Sequence, residues 1–218
     1  MKGENMKLLQ VALDLFDVNE ALDILDQVAE YVDIIEIGTP LIISEGAKAV
    51  KVIKENYPDK IVFADIKVMD GGSEVPKSVL DAGADMISVL AVSRNETIKA
   101  AIEFAHKHKA KVLVDMCAVK DIKARANEID IMSPDFICVH VGYDIQQTSG
   151  LDPIEELKKL DGVNCKKAIA GGIKLDTFKK AVESSADDII CGGGILKQKD
   201  MKDTARQMRE IIDKYNLQ

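Results

Sequence analysis

The sequence predicts a closed (β/α)8 TIM barrel, built as one compact domain over residues 1–218. Two observations carry that expectation. Eight short β-branched runs recur about every 20–30 residues, and amphipathic segments fill the intervals between them. A third observation supports it. Charged residues interrupt the apolar runs near their C-terminal ends, which in a parallel barrel converge on one face.

In chain order the runs are Leu8–Asp14, Asp33–Gly38, Lys60–Val68, Met86–Ala91, Lys111–Cys117, Phe136–Gly142, Lys166–Ile173 and Asp188–Gly194. They are close to continuously apolar, as strands covered on both faces are. The intervals have helical spacing. In 18–31, Ala21, Leu22, Leu25, Val28 and Ala29 line one side, while Glu20, Asp23, Asp26 and Glu30 line the other. Asp17 with Glu20, and Ser93 with Glu96, read as capping boxes at helix starts. A last amphipathic segment, 201–215, closes the series. An open doubly wound sheet is the competing architecture. It calls for a Gly-rich turn after the first strand, where this chain has Asp14–Leu15–Phe16.

Composition narrows the function classes. The chain is 47% hydrophobic and 30% charged, with 29 basic and 37 acidic residues and a net charge of −8. That acidity argues against a nucleic-acid surface, though backbone N–H groups can still hold a small anion. No apolar run approaches the roughly 20 residues of a membrane span, and no leader-like core follows Met1. The expectation is a cytoplasmic protein with no membrane partner. Cys117, Cys138, Cys165 and Cys191 form no C-x-x-C pair and read as reduced thiols acting as small hydrophobes.

The candidate site follows from the polar residues that interrupt the runs: Asp14, Glu36, Asp65, Lys67, Asp70, Asp115 and His140. Buried strands carry charge only at a cost. Period-two alternation predicts Asp65 and Lys67 on one side of their strand, with Glu36 at the matching level of the preceding one. Glu36 and Asp65 are candidate oxygen ligands for Mg²⁺, with a buried ion-pair layer as the alternative. Asp14 and Asp115, taken singly, also fit helix N-caps. His140 is a candidate general acid/base, or else a satisfied core histidine. His106 and His108 lie in a Lys-rich helix end and read as solvated caps. Two Gly-rich turns, Gly171–Gly172 and Gly193–Gly194, follow the seventh and eighth runs, where barrels often cradle phosphate.

These same residues carry a family resemblance running from Leu9 to about Arg209. Its stretches are LQVALD (9–14), EIGTP (36–40), ADIK (64–67) with Asp70–Gly71–Gly72, LVDM (113–116), VHVGYD (139–144), AGGI (170–173) and GGGI (192–195). The chain resembles the 3-hexulose-6-phosphate synthases, a branch of the orotidine 5′-phosphate decarboxylase suprafamily. The Asp-x-Lys-x-x-Asp element is common to the suprafamily and does not fix the reaction. A sister branch, the 3-keto-L-gulonate-6-phosphate decarboxylases, has Glu in place of Asp115 and Arg in place of Tyr143. Gly72 with Asp70–Gly71 departs from the more usual Asp-Ala-Gly.

The resemblance implies aldol condensation of formaldehyde with ribulose 5-phosphate through a 1,2-enediolate, with Mg²⁺ on Glu36 and Asp65. It implies Lys67 beside the oxyanion, His140 as proton shuttle and Asp115 near substrate hydroxyls or water. Asp14 and Asp70 would orient sugar hydroxyls or Lys67, and the phosphate would rest on Gly171, Gly172, Gly193 and Gly194. It also implies a homodimer with Asp70 near the shared interface. The alternatives are the sister decarboxylation and a sugar-phosphate-binding barrel without catalysis.

Overall fold

The computed structural model describes residues 6–217. The stretch just after Met1, read above for a leader, lies outside the described residues. Eight parallel strands close in sequence order: β1 (Leu8–Leu13), β2 (Ile34–Ile37), β3 (Ile61–Val68), β4 (Met86–Leu90), β5 (Lys111–Asp115), β6 (Phe136–His140), β7 (Lys166–Ala170) and β8 (Asp188–Cys191), with β8 pairing back to β1. The open-sheet alternative is thereby excluded. Between them run α1 (Val18–Val28), α2 (Thr39–Glu45), α3 (Ala47–Asn56), α4 (Lys77–Asp81), α5 (Asn95–Lys107), α6 (Ile122–Asp130), α7 (Tyr143–Gln146), α8 (Pro153–Leu157), α9 (Leu175–Glu183) and α10 (Gly193–Leu196). Helix α11 (Met201–Asn216) ends the series. None of the described helices is long and apolar enough to cross a membrane.

Strand alternation divides the core in two. Leu9, Val11 and Leu13 of β1, Ile35 and Ile37 of β2 and their counterparts face the helices and form the larger cluster. The inward residues form a separate plug that includes Ala12, Ile34, Phe63, Met86, Leu113, Phe136 and Ile190. This is why the runs read as nearly continuous: both faces are dry.

The floor of the barrel is tied by a device that recurs four times. Asp33, Asp85, Asp135 and Asp187 immediately precede the even-numbered strands. Their carboxylates accept the backbone N–H of Leu9, Val62, Val112 and Lys167 at 2.8–2.9 Å. Each aspartate's own N–H donates to the carbonyl of that same residue. An even strand starts too late to supply these partners from its own ladder. The side chain fills the gap that would otherwise leave an orphan donor.

Two local expectations need correction. Asp17 does cap α1, accepting from the N–H of Asn19 and Glu20. Ser93 does not cap α5. That helix starts one residue later, at Asn95 with Arg94 as the cap position, and the Ser93 hydroxyl donates to the Leu90 carbonyl instead. Strand β8 also ends earlier than its apolar run, because Gly193 and Gly194 already belong to α10.

Candidate active site

The inward residues at the C-terminal ends of the strands rise as a spiral, because each strand is offset from its neighbour. Gln10 is registered with Ile34, Ala12 with Glu36, and Glu36 with Phe63. Glu36 therefore does not lie level with Asp65. It sits one inward step lower, beneath Asp14 on one side and Asp65 on the other. Period-two counting within a strand does not reveal this offset between strands.

Lys67 meets Asp65, with Nζ donating to Oδ2 at 2.7 Å, but simple alternation is not the cause. The β3–β4 register shifts between Ala64 and Val68, and Lys67 takes a left-handed φ of 44°. That conformation is strained for a residue with a Cβ. The Ser88 hydroxyl holds it by accepting the Lys67 backbone N–H at 2.9 Å, while donating to Asp65 Oδ1 at 2.6 Å. Thr39 adds a hydrogen bond to Asp65 Oδ2 at 2.7 Å.

From Lys67 the chain of contacts continues. Nζ reaches Asp115 Oδ2 at 3.3 Å, and the same oxygen lies 2.9 Å from His140 Nδ1. The Cys117 N–H donates to Asp115 Oδ1. Asp65, Lys67, Asp115 and His140 thus form one continuous network drawn from β3, β5 and β6. Burial works against the Lys67 ammonium, yet Asp65 and Asp115 outweigh it and hold the lysine charged. Burial likewise disfavours ionised Asp115, but His140 and Lys67 keep its carboxyl below the usual range. The His140 ring is pushed the other way: burial opposes its charge, and Asp115 more than restores it, raising its pKa above 6.5. Asp115 is not a helix N-cap, since α6 is capped by Asp121, which accepts from the Ala124 N–H.

Asp14, Glu36 and Asp65 are three carboxylates near enough to act on one another's charge, although their oxygens do not all lie within 4.8 Å of one another. Burial raises the Glu36 carboxyl well above its ordinary range, and the charges of Asp65 and Asp14 add to this. Burial and Asp65 also raise Asp14. Gln10 Nε2 donates to Glu36 Oε2 at 2.6 Å, and no hydrogen bond among the described residues reaches Oε1. Asp65 Oδ1, bonded only to Ser88, keeps a lone pair. Carboxylate oxygens with excess negative charge suit a hard divalent cation such as Mg²⁺. Among the described residues one group of three ligand-type side chains, Asp115, Cys117 and His140, does bring O, S and N atoms within 4.8 Å of one another. Both Asp115 oxygens there are already engaged, so this set is less open.

The two Gly-rich turns lie side by side. Gly171 has φ 104° and Gly172 has φ 73°, and a Cβ on Gly171 would lie 2.3 Å from the Val141 carbonyl. A Cβ on Gly194 would lie 2.0 Å from the Ile173 carbonyl. Glycine thus lets the ends of β6, β7 and β8 close onto one another. No hydrogen bond among the described residues uses the N–H of Gly172, Gly193 or Gly194. Lys197 packs along Gly193, its ammonium 5.3 Å from the Tyr143 ring centre.

One candidate stands apart. Asp70 is exposed, and no hydrogen bond or ion pair among the described residues reaches it. Gln10, Thr39, Ser88 and Lys197 escaped the sequence reading. For Gln10 and Ser88 a signal existed, since each is a polar residue inside an apolar strand and both are fully buried.

A family model described as Orotidine 5′-phosphate decarboxylase / HUMPS family matches residues 7–208. The chain belongs to that family. A relative from Bacillus subtilis (strain 168), named 3-hexulose-6-phosphate synthase, is 49% identical over 207 residues, covering 94% of this chain and 98% of the relative. One from Staphylococcus haemolyticus with the same name is 44% identical over 94% of this chain and 98% of its own length. Among solved structures, 3-hexulose-6-phosphate synthase from Salmonella typhimurium superposes with a TM-score of 0.92 at 38% identity, covering 95% of this chain and 99% of that one. KGPDC from Streptococcus mutans gives a TM-score of 0.88 at 26% identity, covering 96% of this chain and 98% of that one. This member of the family is accordingly an enzyme of the lyase type.

Proposed function

We propose that this enzyme condenses formaldehyde with D-ribulose 5-phosphate to give D-arabino-hex-3-ulose 6-phosphate, reversibly. The observation that carries the reading is the unbroken Asp65–Lys67–Asp115–His140 network at the barrel mouth, beside a glycine cradle with free N–H groups. The shared name of the similar relatives supports the choice of substrate.

In this reading His140, oriented by Asp115, takes the C1 proton of the ketose phosphate. Lys67 neutralises the oxyanion of the resulting 1,2-enediolate. C1 then bonds to the formaldehyde carbon, the ketose carbonyl at C2 re-forms, and the formaldehyde oxygen, now an alkoxide, takes up a proton. Glu36 and Asp65 would hold Mg²⁺, which supplies Lewis-acid charge at the substrate oxygens. Asp14 orients sugar hydroxyls. The N–H groups of Gly172, Gly193 and Gly194, with Gly171 shaping the turn and Lys197 alongside, hold the phosphate and so position the reacting end. Asp115 and Tyr143 favour the condensation over the sister decarboxylation. Formaldehyde consumption with ribulose 5-phosphate, with and without Mg²⁺, tests the reading; no consumption in either case would sink it.

Asp115 also sets the pH profile. A histidine that acts as base must be neutral, and Asp115 holds the His140 proton on above pH 6.5. The ascending limb of kcat/KM should therefore lie above that pH in the wild type. In Asp115→Asn it should shift to lower pH while the maximum rate falls. A limb that stays in place removes Asp115 from this role.

The isolation of Asp70 fits a homodimer in which it serves the neighbouring active site. Met69 and Val75 beside it are 54% and 47% exposed, an apolar edge suited to burial against a second copy. Inactive Lys67→Ala and Asp70→Ala preparations should then regain activity when unfolded and refolded together, because one mixed site carries both wild-type residues. Failure to regain any activity, with both variants folded, would place Asp70 outside the partner's site.

A further inference from the structure

The inward spiral continues below Glu36. Gln10 lies one inward step above the register partner of Asp188: Leu8 pairs with Asp188 and Gln10 with Ile190. Glu36 stands in the same relation to Gln10, since Gln10 pairs with Ile34. The upper step is closed by the 2.6 Å hydrogen bond from Gln10 Nε2 to Glu36 Oε2. The lower step has matching geometry and three unpaired atoms: Gln10 Oε1, Asp188 Oδ1 and Asp188 Oδ2. Both residues are 0% exposed, so bulk water does not satisfy them. Buried polar groups without partners are costly, and a proton on one Asp188 oxygen would give Gln10 Oε1 a donor.

We propose that Asp188 and Gln10 are positioning residues for Glu36: the Asp188 carboxyl group donates a hydrogen bond to Gln10 Oε1, directly or through one enclosed water. This inference rests on the metal-holding role of Glu36 given above. A Gln amide has a donor end and an acceptor end. With Oε1 held by Asp188, the amide can present only Nε2 to Glu36, which keeps one carboxylate oxygen occupied and leaves the other free. Burial, reinforced by Asp33 and Asp187, favours the protonated acid that the donation requires. The relay runs through the barrel interior from the floor to the mouth and touches no substrate.

The test uses Gln10→Met, Asp188→Val and Asp188→Asn in the full chain, with Mn²⁺ or Mg²⁺ binding measured by calorimetry beside thermal unfolding and steady-state kinetics. Gln10→Met keeps the shape and removes both polar ends. It should weaken metal binding roughly 10–100-fold, the usual cost of losing a partner behind a ligand. Asp188→Val should weaken it in the same direction. Asp188→Asn should restore wild-type affinity, because its amide N–H can replace the acid proton. A merely structural Asp188 would change the unfolding temperature without changing metal affinity. Folded Asp188→Val with wild-type affinity overturns the relay, as does Asp188→Asn proving as weak as Asp188→Val. A wild-type protein that binds neither cation overturns the metal role of Glu36 itself and the relay with it, so the two failures are distinguishable. A crystal structure should also show the Asp188 carboxyl bonded to Gln10 Oε1 or to a water bridging them; a wider, unbridged gap also overturns the proposal.

Discussion

Lys67→Ala should abolish condensation of formaldehyde with ribulose 5-phosphate while leaving the barrel folded. Lys67 provides the ammonium that joins Asp65 to Asp115, and its proposed role is to neutralise the enediolate oxygen. Loss of one such preorganised group costs about 10²–10³ in kcat. The expected loss here is at the upper end or beyond, since Asp115 also loses a partner and His140 its fixed setting. The fold should survive because the Lys67 side chain is only half-buried and the β3 bulge is held by Ser88 through the backbone. Alanine at a left-handed position keeps that strain. Circular dichroism and kcat measured together check the prediction: a folded variant with near-normal turnover removes Lys67 from the chemistry.

Glu36→Gln should act on the metal first. Glutamine keeps an oxygen to accept from Gln10 Nε2 but brings no charge to a cation. The Mg²⁺ concentration for half-maximal activity should rise by more than about 100-fold, beyond what loss of a supporting contact costs. The same change should stabilise the metal-free protein. Burial and the charges of Asp65 and Asp14 raise the folded-state pKa of Glu36 above 4.5. The unfolded chain releases this proton at lower pH than the folded one, so Glu36 lowers stability progressively as pH rises above 4.5. Below that pH the carboxyl is neutral in both states and the penalty disappears. The Tm of metal-free Glu36→Gln should therefore exceed wild type near neutral pH, with the difference closing in acid. An unchanged Mg²⁺ response would argue against ligation, and an unchanged Tm against the crowding of three carboxylates.

The readable features of the chain were those set by local spacing. Eight apolar runs and the helical periodicity between them gave the closed parallel barrel. Charges near run ends gave six side chains that do gather at its mouth: Asp14, Glu36, Asp65, Lys67, Asp115 and His140. The Gly171–Gly172 and Gly193–Gly194 turns were legible because positive φ and close backbone approach leave glycine as the residue that fits. The Ser93 cap failed because a hydroxyl can equally serve the carbonyl three residues back, and local spacing does not choose between them. The four floor aspartates were missed although they recur at about 50-residue intervals, since each serves a neighbouring strand rather than the strand it precedes.

The amino-acid order by itself determined that strands alternate with helices, because apolar run length and the 3.6 period are properties of one chain segment. Only the closed tertiary structure decided how far each strand climbs past the next. That offset places Glu36 below Asp14 and Asp65, brings Ser88 to the β3 bulge, and sets Gln10 between Asp188 and Glu36. Register between strands distant in sequence is fixed by packing the whole ring at once, so it is written in no single segment.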